Sequence, residues 1–153
     1  MPSTIRQKLS KQFLLAIFSG HLFLAPCAFA AETMAQLSQR ADAHMDKQEY
    51  SLALPLLQQA AEQGDSNAQF HLGLMLYKGY GVPQDYAQAQ QWFEKAAVQG
   101  DAKAQFILGA MYTEGKGLRQ DYTQALQWYT KAATQGLAEA QFNLGNIYYN
   151  GKG

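Results

Sequence analysis

Apolar residues in the second half of this chain recur at the three- and four-residue spacings of helices buried along one broad side. Phe70, Leu72, Gly73 and Tyr77, with Leu76, mark one such segment; Ala89, Trp92, Phe93, Ala96 and Ala97 mark the next. Between them stands Gly79-Tyr80-Gly81, followed by Val82-Pro83. Glycine takes the positive φ that closes a helix, and Pro83 discourages continuation. The second segment opens at Asp85, whose carboxylate suits an N-cap, with Gln88 placed to complete a capping box. Gly100 ends it. The alanines let neighbouring helices approach closely, and Trp92 is expected in the core between them.

The whole pattern then returns. Residues 104–139 match residues 68–103 at 21 of 36 positions, Asp121 and Gln124 repeating the cap, and residues 140–153 match the first half again. A period of this length is the mark of a stacked-repeat architecture.

AxxxLGxxY, Gly-x-Gly, a D-Y dipeptide and AxxWxxKAAxxG at this period resemble the Sel-1-like repeat, a relative of the tetratricopeptide repeat. The resemblance covers residues 68–153 well and runs more loosely back to about Thr33. It implies an all-α fold: a right-handed superhelical α-solenoid of antiparallel helix pairs, about seven helices in one domain. It also implies a scaffold for protein–protein contacts, with no enzymatic site of its own in most members.

Residues 31–64 read as a divergent N-terminal hairpin that caps the stack, ahead of the repeats in 65–153. Met34, Leu37, Ala41 and Met45 give its first helix, over about 33–47. Its loop at Lys47-Gln48-Glu49 lacks Gly-x-Gly. Tyr50, Ala53, Leu56, Leu57, Ala60, Ala61 and Gly64 then align with the second helix of the later units, Leu56 standing where they have tryptophan. Pro55 falls late for a helix start and is expected to bend the helix. At the other end Phe142, Leu144 and Tyr148 form a helix with no partner following it. It is a genuine cap, a surface that pairs with a second copy, or the stub of a longer array.

Residues 1–30 read as a secretory signal peptide, with an uncleaved anchor as the alternative. Arg6, Lys8 and Lys11 precede an apolar run that is short for a membrane span, and Ala28-Phe29-Ala30 offers a small-x-small cleavage site. Cleavage after Ala30 would send the protein to the periplasm or outside the cell. Cys27 follows Pro26 and so departs from a lipoprotein signal; it is also the chain's one cysteine, so the processed protein would hold no disulfide. Of 12 basic residues the signal takes three, leaving nine against 12 acidic ones. That balance offers no footprint for nucleic acid or anionic lipid.

Catalytic and cofactor motifs are not visible. Gly115-Lys116-Gly117 and Gly151-Lys152-Gly153 lack the strand and the Ser or Thr that a phosphate loop needs. His44 and His71 stand in different units and do not make a zinc site. No nucleophile has an evident base, and the recurring Asp85 and Asp121 are explained by capping. No catalytic residue, cofactor or metal is expected.

What remains is a face. On the first helix of each unit the repeats differ at Asn67, His71, Leu74 and Lys78, then at Lys103, Ile107, Ala110 and Glu114, then at Glu139, Asn143, Asn146 and Asn150. Spacings of four, three and four put each set on one stripe. By resemblance the first helices line a concave groove. The expected function is an exported bacterial interaction scaffold that binds a partner peptide or protein there. The alternatives are an envelope-associated hydrolase and a self-assembling structural element, a homo-oligomer formed through the C-terminal helix.

Overall fold

Aspartates set the helix starts. In the computed structural model, which describes residues 32–152, Asp65 and Asp101 accept from Ala68 N and Ala104 N, and Asp85 and Asp121 accept from Gln88 N and Gln124 N. Each satisfies an orphan amide of a first turn, worth about 1 kcal/mol. The reciprocal arm expected of Gln88 is absent: its amide bonds the Asp85 carboxylate instead, at 3.0 Å. The one reciprocal capping box among the described residues joins Thr33 and Gln36. The export signal, its cleavage site and Cys27 lie outside the described residues, as does Gly153.

These starts give seven helices among the described residues: α1 (Met34–Asp46), α2 (Tyr50–Glu62), α3 (Ser66–Lys78), α4 (Tyr86–Val98), α5 (Ala102–Glu114), α6 (Tyr122–Thr134) and α7 (Ala138–Tyr149). Each helix packs on the next, most extensively within the hairpins α1/α2, α3/α4 and α5/α6, and α1 also touches α3. This is an all-α solenoid of consecutive helix pairs. No strand occurs among the described residues, and no helix among them is long and apolar enough to cross a membrane. Helix α2 runs unbroken through Pro55. The Lys47-Gln48-Glu49 turn places Gln48 at φ 60°, where later units use glycines.

Small residues line the joints between helices. Ala53, Ala60, Ala89, Ala96, Ala125 and Ala132 are fully buried on the second helices, clustered with Leu72 and Met75, Leu108 and Met111, and Ile147 of the first helix that follows each. A Cβ on Gly73 would lie 2.9 Å from the Phe93 ring, and one on Gly109 would lie 2.7 Å from Tyr129. The buried aromatics of the second helices are therefore Phe93 and Tyr129, and not the tryptophans expected there. Trp92 and Trp128 are half-buried against the cluster of the preceding unit, with Lys95 Nζ and Lys131 Nζ 3.9 and 4.1 Å from their ring centroids. A lysine three residues along reaches back over the indole face, so the wide ring seals a seam between repeats.

Two further devices lock one unit to the next. In two of the loops the second glycine presses on the residue that starts the previous second helix. A Cβ on Gly81 would stand 2.7 Å from Tyr50 Cβ, and one on Gly117 2.6 Å from Tyr86 Cβ. Both glycines also have φ near +70° (69° and 73°), so the loop needs glycine on both counts. The second device is polar. Buried Gln69 donates to Ala61 O at 3.1 Å and accepts from Gln99 at 2.8 Å. Gln105 repeats this with Ala97 O at 3.0 Å and Gln135 at 2.8 Å. Each glutamine thus caps the end of the preceding second helix and ties down the turn that follows.

Candidate functional site on the first helices

The stripe of differing residues is divided by the structure into three parts. On α3, Asn67 donates to both carboxylate oxygens of Asp42 on α1, at 3.1 and 2.8 Å. Half-buried His71 sets Nε2 3.5 Å from the same carboxylate, while its Nδ1 is buried without a hydrogen-bond partner. Burial lowers the His71 pKa; Asp42 opposes that shift and Lys103 adds to it. This end of the stripe is engaged in helix-to-helix contact. Leu74 is half-buried against the core of the third to fifth helices, and Lys78 is exposed beside the Tyr77 ring.

The middle part forms a hollow of about 280 Å³. Lys103, Ile107 and Glu139 line it with Phe70, Phe106 and Leu137, so its floor is apolar and its rim carries one charge of each sign. The Lys103 Nζ lies 6.0 Å from the Phe70 ring centroid.

Sharing the Phe106 wall, a larger cleft of about 450 Å³ opens between α5, α6 and α7. It takes in Ala110, Glu114, Asn143, Asn146 and Asn150 of the stripe. Asn143 Nδ2 donates to the Tyr129 hydroxyl at 3.3 Å. Burial raises the Tyr129 pKa, with Glu114 adding to it, against the lowering effect of the neighbouring Thr113 and Asn143 side chains. Glu114 pairs with Lys116, whose pKa is held above the ordinary amine value by that carboxylate and by the Tyr77 hydroxyl. The stripe thus supplies one wall. Thr113, Tyr122, Tyr129, Ile147 and Lys152 supply the rest and were not foreseen as site residues. The available signal was the contrast between Tyr77 and Thr113 at equivalent positions, which lies off the stripe.

Among the described residues no three His, Cys, Asp or Glu side chains converge as metal ligands would. The cleft offers amides, phenols, the Thr113 hydroxyl, one lysine, one glutamate and an apolar floor. Such a lining suits a group that combines an apolar body with a polar tip.

The family model of the Sel1 repeat matches residues 34–65, 66–101, 102–137 and 138–153. The chain belongs to the Sel1 repeat family. Sel1-repeat proteins are generally protein–protein interaction scaffolds, and the family is typically non-enzymatic. The matched segments begin two residues before the sequence repeats read above and extend to the first hairpin.

Among solved structures, the chain is similar to a protective antigen of uropathogenic Escherichia coli strains that displays an SLR fold. The identity is 34% and the TM-score 0.74, over 77% of this chain and 26% of that one. The chain therefore spans about a quarter of the length of that relative. It is also similar to a Sel1 repeat protein from Oxalobacter formigenes, at 32% identity and TM-score 0.70, over 76% of this chain and 91% of that one. The cysteine rich protein B of Helicobacter pylori shares the fold at 23% identity and TM-score 0.60, over 72% of this chain and 94% of that one. A comparison with curated proteins gives no match.

Proposed function

We propose that this Sel1-repeat chain is an exported scaffold that binds a partner peptide or protein segment along the row of first helices, in the two adjoining hollows. One observation carries the reading. On the first helices, positions that are identical between the two complete repeats are largely buried, whereas the differing stripe positions of the fifth and seventh helices line the two hollows. A segment with a few apolar anchors suits them, since each hollow joins an apolar floor to polar rim groups. Export is supported by the basic, apolar and small-residue order of residues 1–30.

The test is crosslinking capture from envelope extract, using the processed chain beside a variant carrying Lys103→Glu and Asn146→Arg. Both residues are exposed, so the variant folds. A protein captured by the first and lost from the second supports the reading; equal capture by both moves the binding surface elsewhere. N-terminal sequencing of chain recovered from the periplasm checks export, with Ala31 the expected first residue. Self-association is a second reading, favoured by Phe142, Tyr148 and Tyr149, which stand 70%, 62% and 91% exposed on α7. Light scattering that finds only monomer at high concentration removes it.

A further inference from the structure

The larger cleft has a counterpart one repeat earlier, and there it is filled. In that unit the Tyr77 ring packs edge-on to Tyr86 at 5.2 Å and 65°, and to Phe93 at 6.1 Å and 64°. Its hydroxyl lies 3.5 Å from Lys116 Nζ. Thirty-six residues on, the same surroundings are kept: Tyr122 for Tyr86, Tyr129 for Phe93, Lys152 for Lys116. Lys152 Nζ, with no counterpart of Tyr77 to meet, lies 3.2 Å from the Tyr122 hydroxyl and 5.1 Å from its ring centroid.

What is missing is the ring itself. Thr113 stands where Tyr77 would be, and its hydroxyl turns back to Gly109 O at 2.8 Å. Ala110 replaces Leu74 and widens the opening, and Asn143 replaces Ile107 and makes one wall polar. The chain thus keeps the seat of a tyrosine and omits the tyrosine.

We propose that this cleft is the subsite for a tyrosine side chain presented by the partner, its ring taking the place that Tyr77 takes in the preceding repeat. The proposal rests on the reading of the groove as a partner-binding surface and names one residue the partner must offer. Edge-on packing against Tyr122 and Tyr129 supplies the aromatic contact. The phenol oxygen meets Lys152 Nζ and the Asn143 and Asn146 amides. A phenylalanine would leave those polar groups facing an apolar edge, and a leucine would also forgo the ring contacts.

The experiment is an NMR titration of the full chain with N-acetyltyrosinamide, N-acetylphenylalaninamide and N-acetylleucinamide. The expected result is saturable shifts at Thr113, Asn143 and Asn146, with the tyrosine probe binding about tenfold tighter than the leucine probe. Thr113→Tyr rebuilds the Tyr77 arrangement within the chain, so it should fold and should abolish the binding. Ala110→Leu narrows the same cleft and serves as an independent block. Absence of saturable binding, equal binding of the leucine probe, or binding that persists in both folded variants overturns the proposal. Capture of a partner that is lost from the Lys103→Glu/Asn146→Arg variant but kept by Thr113→Tyr also overturns it, while leaving the wider reading standing. Probe binding without any groove-dependent partner sustains the subsite and sinks the wider reading.

Discussion

Replacing Gln105 by leucine removes the link between two repeats while nearly keeping the volume of the side chain. Gln105 is 5% exposed and makes two bonds, to Ala97 O at 3.0 Å and from Gln135 at 2.8 Å. Each such bond is worth about 1 kcal/mol net, and an orphaned buried partner would add about 1–3 kcal/mol. No orphan is left here. Ala97 O also accepts from Gly100 N at 3.1 Å, and Gln135 is exposed and can turn to water. The loss is therefore about 1–2 kcal/mol, partly offset by the apolar leucine. A fall of roughly 3–8 °C in the midpoint of thermal unfolding follows for a chain of this size. Far-UV circular dichroism, on heating and in urea, reads it. The double-mutant cycle with Gln135→Ala isolates the pair, with an expected coupling of about 0.5–1 kcal/mol. Gln141 offers a control, since it makes the equivalent bond to Ala133 O while exposed, at 3.2 Å. Gln141→Leu should cost about 0.5 kcal/mol or less. An unchanged midpoint for Gln105→Leu, or equal losses at Gln105 and Gln141, would refute the assignment of Gln105 as a link between units.

Three further outcomes are expected. Phe93→Ala should cost about 3–5 kcal/mol and Trp92→Ala clearly less, because Phe93 is fully buried and Trp92 half-buried; urea denaturation of both ranks them. Gly117→Ala forces a side chain onto Tyr86 at positive φ, whereas Gly136→Ala has φ 89° but nothing within 4 Å of the new Cβ. Thermal melts should show a loss of about 1 kcal/mol at Gly136 and more at Gly117. The lowered pKa of His71 means that the unfolded chain takes the proton first. Its contribution is intact above the unfolded value of 6.5 and is lost as pH falls through the folded one. Melts across that range should show stability declining with acid, and His71→Leu should flatten the decline.

The helices, the Asp85 and Asp121 caps and the Gly-x-Gly stops were legible because each is written locally and repeated, whereas the Asp65 and Asp101 caps were not foreseen. The core aromatic was misplaced because Trp92 and Phe93 are sequence neighbours, and periodicity alone does not choose between them. The choice is made by Gly73, which admits the Phe93 ring, and by Lys95, which covers the indole. The glutamine link was missed although its signal was present: Gln69, Gln105 and Gln141 are identical polar residues beside a buried alanine. Of the candidate site, part was legible, since helical spacing placed Ala110 with Glu114 on one stripe and Asn143 with Asn146 on another. The opposite wall comes from α6, and no spacing within one helix reports which rings of a neighbour will face it.

The side-chain links between units also bear on how the chain is made. Gln69 reaches Gln99 and Gln105 reaches Gln135 across 30 positions, and the loop lysine Lys116 meets Tyr77 across 39. Every partner in these links thus lies within about one repeat of the other along the chain, so each unit can be closed and fastened to its predecessor before the next has emerged. Short-range closure of this kind favours fast, stepwise folding and limits how long apolar faces wait uncovered.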